Sequence, residues 1–197
     1  MRLDVGAIGV SAALALAGCN RADEPRTSLV GATKLPSPAD LRKETIIVAR
    51  MGGKDAEDLL NIEIQPTNKV VAAHYRGNDR TTPVAEETSQ VSASEAEYLR
   101  RMLWRLRPDD GAPTQKTIPI GCHYVYDAGW EWAVVYVRED RPADMLEFTL
   151  PYPEYCKTSA YSDAQQLIGK VLRALPRSDV VERFPPGRYH PLGTYSP

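Results

Sequence analysis

The sequence has no apolar run of about 18 residues or more, so no segment is built to cross a bilayer as a helix. It has no basic excess: 24 Lys and Arg stand against 26 Asp and Glu, a net charge of -2. That removes electrostatic support for wholesale nucleic-acid binding. Catalytic signatures are missing too, with no GxSxG elbow, HExxH or GxGxxG. Gly53-Lys54 and Gly169-Lys170 each lack the upstream glycine and following Ser or Thr of a phosphate loop. His74, His123 and His190 are not spaced for chelation, and the acidic residues are too scattered to pair two as a glycosidase dyad. No cofactor, metal or nucleic-acid partner is therefore expected, and an enzyme would need a site assembled from distant residues.

What is there suits one folded domain. The chain has 197 residues, 25% charged and 43% apolar, with no internal repeat. Sixteen prolines fall mainly within 25–38, 83–119, 142–153 and 176–197, which marks those stretches as connectors. At the amino end, Val5–Ala17 (VGAIGVSAALALA) is an apolar stretch behind Arg2. Its length fits the core of a secretory signal and falls short of a membrane span.

The residues that follow, Leu16-Ala17-Gly18-Cys19, resemble the lipobox of bacterial lipoprotein signal peptides. The resemblance implies that residues 1–18 are removed, that Cys19 carries a diacylglycerol, and that its new amino group is acylated. Three chains anchor a protein in effect permanently, where one alone is marginal. The residue after the cysteine is Asn20, where the family's inner-membrane retention signal has aspartate. An outer-membrane lipid anchor facing the periplasm is therefore implied. Without the resemblance, the residues leave open an ordinary cleaved signal or a buried helix. Residues 19–40 are polar and proline-punctuated, a flexible tether of about 25 Å root-mean-square reach.

Two cysteines remain, Cys122 and Cys156. In an oxidising compartment such a pair normally forms a disulfide, here closing a loop worth roughly 3–4 kcal/mol. Two buried free thiols, a nucleophilic cysteine and a metal site with His123 stay open as alternatives.

Along the domain, Thr45–Arg50 reads as a strand, and Asn61–Gln65 with Lys69–Arg76 as a hairpin about Pro66-Thr67-Asn68. Residues 77–90 read as a polar loop. Ser92 or Ser94 opens a helix, each with a Glu three positions on (Glu95, Glu97), and Leu99, Met102, Leu103 and Leu106 form its buried stripe. Arg100, Arg101, Arg105 and Arg107 crowd its last turns, either solvated and complementing the helix dipole or meeting an anionic partner or headgroups. Trp104 stands off the stripe, as an interface anchor beside Arg101 and Arg105 or as cover for a second core. Ile118–Tyr126, Trp130–Arg138 and Met145–Leu150 read as an antiparallel meander. Its middle strand, WEWAVVYVR, should lie centrally and be covered on both faces. Its aromatics serve a core or a carbohydrate-stacking platform. In a meander the first strand's start and the third strand's end lie at opposite ends, so 151–156 must run back up to about 20 Å to join the cysteines. Ser162 with Gln165 caps a second helix, Asp163–Leu175, and Val180, Val181 and Phe184 dock from a tail that is otherwise irregular from about 176.

The expected architecture is α+β over 41–197, a mainly antiparallel sheet of about five strands with two packed helices and one disulfide. Three functions fit. One is a lipid-anchored periplasmic protein that captures a protein partner, as an inhibitor or immunity factor does. The others are an envelope structural or assembly lipoprotein and a cell-envelope hydrolase.

Overall fold

The computed structural model describes residues 37–52, 57–77, 79–108, 131–138, 141–150 and 158–184. The elements run α1 (Pro38–Leu41), β1 (Glu44–Gly52), β2 (Asp58–Ile64), β3 (Lys69–Arg76), β4 (Ala85–Gln90), α2 (Ala93–Trp104), β5 (Trp132–Arg138), β6 (Arg141–Leu150), α3 (Ser159–Ala174) and α4 (Asp179–Arg183). The six strands form one antiparallel sheet in the order β4-β3-β2-β1-β5-β6. The α+β class holds, with six strands where about five were expected.

Alternation in β1 and β2 sends Ile46, Val48, Leu60, Ile62 and Ile64 to one side. The register aligns them with Val70 and Ala72 of β3, Val134 and Tyr136 of β5, and Phe148 of β6. Onto that face pack Leu99, Met102, Leu103 and Leu106 from α2 and its last turn. Leu167, Ile168 and Val171 of α3 join them, with Val180 and Phe184 from α4 and its end, giving one continuous core. Val180 and Phe184 dock as expected, although they do so from a short helix.

The β2–β3 hairpin shows why its sequence turns where it does. Asn68 N–H donates to Gln65 O at 2.9 Å, and Gln65 N–H donates to Lys69 O at 2.9 Å. Pro66 fits the second position of such a turn, and Asn68 takes the left-handed conformation at φ 62°. Asn68 O then accepts Val91 N–H, while Gln90 Nε2 donates to Thr67 O, so the turn also holds the end of β4.

Several expectations need correction. Residues 77–90 contain strand β4, not only a loop. Its residues AEETSQ carry no apolar alternation, because an edge strand with mostly exposed residues needs none. β5 pairs antiparallel with β6, as the second half of the expected meander requires, but its other edge is taken by β1, where the meander placed residues 118–126. Residues 118–126, Trp130, Cys122, Cys156 and the lipobox lie outside the described residues. α3 begins at Ser159, with Thr158 rather than Ser162 as its cap, since Thr158 Oγ1 accepts Tyr161 N–H at 3.1 Å. α1 opens inside the stretch read as tether: Ser37 accepts Asp40 N–H, and Pro38 stands at the first helical position. No described helix is long and apolar enough to cross a membrane.

Candidate functional site

α2 is capped by one of the two serines read from the sequence. Ser92 Oγ accepts Glu95 N–H, and Glu95 returns its carboxylate to Ser92 N–H at 2.8 Å. These hydrogen bonds from Ser92 lower the Glu95 pKa. Helical spacing then gives α2 two unlike sides. One buries Ala96, Leu99, Met102 and Leu103. The other carries Tyr98, Arg101 and Arg105 at i, i+3 and i+7, with Glu97 and Trp104 along its flank.

The four arginines do not behave alike. Arg100 is fully buried and donates from Nη1 to the carbonyls of Leu41 and Glu44, and from Nη2 to Ile64 O at 2.9 Å. Arg107 is buried as well, its Nη2 2.6 Å from Glu44 Oε1 and its Nε 3.2 Å from Oε2. For these two the solvated reading fails: a guanidinium on the margin of the buried stripe reaches inward to β1. Arg101 and Arg105 stay partly exposed on the outer side, Arg101 pairing with Glu97 at 2.8 Å. Trp104 is partly exposed and has the Arg107 guanidinium 4.6 Å from its ring centre. The structure thus places Trp104, Arg101 and Arg105 along one outward arc of a helix pinned from within. Tyr98 belongs to the same arc and was missed, although its spacing from Arg101 and Arg105 was legible.

Beneath α2, Tyr136 donates its hydroxyl to Leu103 O at 2.6 Å. Burial, reinforced by the charge of Glu44 and opposed by Arg107, raises its pKa well above the ordinary tyrosine value.

The other side of the sheet is a surface of a different kind. It presents Thr45, Ile47, Ala49 and Met51 of β1, Leu59, Asn61 and Glu63 of β2, and Lys69, Val71, Ala73 and Tyr75 of β3. Glu86, Thr88 and Gln90 of β4 extend it at one end, and Ala133, Val135 and Val137 of β5 at the other. The alanines are buried between taller neighbours, while Ile47, Val71, Val135 and Val137 remain partly exposed. The core helices pack on the opposite face. The expectation that both faces of β5 are covered is thus met on one face by described elements. Among these residues of β1 to β5 the charges are Glu63, Lys69 and Glu86, at the β2–β4 end, and the register sets Glu147 of the edge strand β6 beside Val135. Burial first, then the negative charges of Glu63 and Glu86, raise the pKa of Tyr75 at the β2–β4 end.

A third cluster ties strands together. His74 Nε2 lies 2.7 Å from Asp58 Oδ1, Arg76 Nε donates to the same oxygen at 3.3 Å, and the Phe184 ring meets His74 edge-on at 5.2 Å. Among the described residues no group of three or more His, Cys, Asp or Glu is placed to hold a metal ion. Comparison with models of known protein families gave no match, and comparison with curated proteins gave none either.

Proposed function

We propose that this protein is a lipid-anchored periplasmic binding protein that captures a protein partner on the sheet face opposite its helices, as an inhibitor or immunity factor would. The anchor rests on the lipobox-like Leu16-Ala17-Gly18-Cys19, with acylation at Cys19 and sorting to the outer membrane. The observation that carries the binding reading is the composition of that sheet face. Its middle, along β1 and β5, offers Ile47, Ala49, Ala133, Val135 and Val137 with no charged residue among them, in a chain that is 25% charged. Depletion of charge at the centre with polar residues at the margin is the pattern of protein interfaces. A Cys122–Cys156 disulfide belongs to the same reading. Its support is that Glu131 N–H donates to Leu150 O at 2.9 Å, so the first described residue after Cys122 and the last before Cys156 are neighbours in the sheet.

Site-specific photo-crosslinking in cells tests the capture reading. A benzophenone side chain placed at Ile47, Glu86 or Thr88 is expected to give an adduct with one and the same protein. The same probe at the exposed Asp163 of α3 should give none. Equal adducts from both layers, or no adduct from the sheet face, would contradict it.

A further inference from the structure

β4 ends the described sheet on one side and pairs with β3 from Lys69↔Gln90 to His74↔Ala85 without a register shift. The ladder decides which of its backbone groups face outward. Val91 N–H donates to Asn68 O at 3.0 Å, and in an antiparallel pair hydrogen-bonded and non-hydrogen-bonded positions alternate. Ser89, Glu87 and Ala85 therefore turn their N–H and C=O groups to β3. Gln90, Thr88 and Glu86 turn theirs away from the sheet, and no described strand meets them. Such edges are commonly blunted by proline, a bulge or charge. Within β4 there is no proline and no bulge. Its charges are Glu86 and Glu87, and neither forms an ion pair with a described residue. Lys69 of β3 stands opposite Gln90, at the far end of β4 from both. Val84, which leads into β4, is 59% exposed.

We propose that β4 is the docking edge of the sheet: the partner lays an extended segment beside it as a further strand, with basic side chains opposite Glu86 and Glu87. The inference rests on the capture reading and deepens it, since it gives the mode of contact and the charge of the partner's segment. Main-chain hydrogen bonds to Glu86, Thr88 and Gln90 supply attachment, and the side chains across from them supply selectivity. Glu86 pairs with Ala73 and stands on the open face, while Glu87 pairs with Ala72 and stands on the helical face. Two consecutive basic residues of an added strand meet one carboxylate each, because successive side chains alternate in the same way. Val84 adds an apolar contact where the edge begins. A second copy of this chain fits less well. β4 contains no Lys or Arg, so pairing two copies would gather the glutamates of both on one seam without a cation.

The test uses the full chain, labelled with nitrogen-15, and the synthetic peptide Thr-Thr-Val-Lys-Lys-Val-Thr. Two control peptides accompany it, one with Glu in place of each Lys and one with every backbone nitrogen methylated. Amide hydrogen exchange is followed by NMR. The basic peptide is expected to slow exchange severalfold at Glu86, Thr88 and Gln90, and to leave Glu87 and Ser89, already bonded to β3, unchanged. Neither control should protect these amides. The double variant Glu86→Lys, Glu87→Lys should prefer the acidic peptide. Thr88→Pro removes an outward donor at a position where an edge strand tolerates proline, and should abolish protection at Glu86 and Gln90. Equal protection by both charge forms, protection by the methylated peptide, or none from any peptide would overturn the proposal. So would protection that rises with protein concentration alone, the result expected if a second copy is the occupant. The benzophenone at Ile47 separates the two readings. An adduct that persists in Thr88→Pro would defeat only the edge, and no adduct in the unaltered chain would defeat capture itself and the edge with it.

Discussion

Burying a guanidinium is unfavourable unless its donors are met, and burying an ion pair is favourable only in good geometry. Arg100 meets much of the first condition, its two terminal nitrogens donating to three backbone carbonyls drawn from α1, β1 and β2. Arg100→Met should leave these acceptors without their donor and lower stability by about 3–5 kcal/mol in urea unfolding. Arg100→Lys should recover only part of that, because an ammonium lacks the planar fork. A loss below about 1 kcal/mol for Arg100→Met would contradict this role. Tyr136 makes a second prediction, with pH as the probe. Its folded pKa lies above its unfolded value of about 10, so its contribution is full below pH 10. As pH rises further, the unfolded chain releases the phenolic proton first and stability falls, by up to about 1.4 kcal/mol per pH unit. Tyr136→Phe should lose about 1 kcal/mol at neutral pH with the Leu103 hydrogen bond, and should decline less steeply above pH 10. Equal alkaline slopes for the two proteins would rule it out. Neither burial was read from the sequence, since the pattern treats Arg as polar. The signal lay in spacing, with Arg100 four residues after Ala96 and Arg107 four after Leu103.

At the level of elements, local chemistry was legible and long-range pairing was not. The capping box at Ser92, the apolar stripe of α2 and the β2–β3 turn each sit within a few neighbouring residues, and each forms. The turn gives a direct prediction. Asn68 tolerates the left-handed conformation that a β-branched residue resists, so Asn68→Val should cost about 1–2 kcal/mol and Asn68→Gly little or nothing, by thermal unfolding. Similar losses in both would mean that the side chain, not the backbone, matters there. β4 escaped notice because an exposed edge strand has no hydrophobic period to detect. The partner of β5 escaped for another reason: β1 lies far away in the chain, and alternation reveals a strand without naming its neighbour. The outward arc of α2 was legible in part, as Trp104, Arg101 and Arg105 without Tyr98.

For the whole molecule, one asymmetry organises the account. A six-stranded sheet carries its core helices on one face, and α1 sits against that helical layer. The sequence predicts that β5 is covered on both faces, and the described helices cover one of them. The proposed partner surface lies on the face opposite that layer. That reading depends on where the mature chain begins and what it carries. The most direct measurement is the intact mass of the protein recovered from envelopes. The account predicts a chain starting at Cys19 with a diacylglycerol on its sulfur and a third fatty acid on its amino group. A mature chain that starts elsewhere, or starts at Cys19 with a bare thiol, would contradict it.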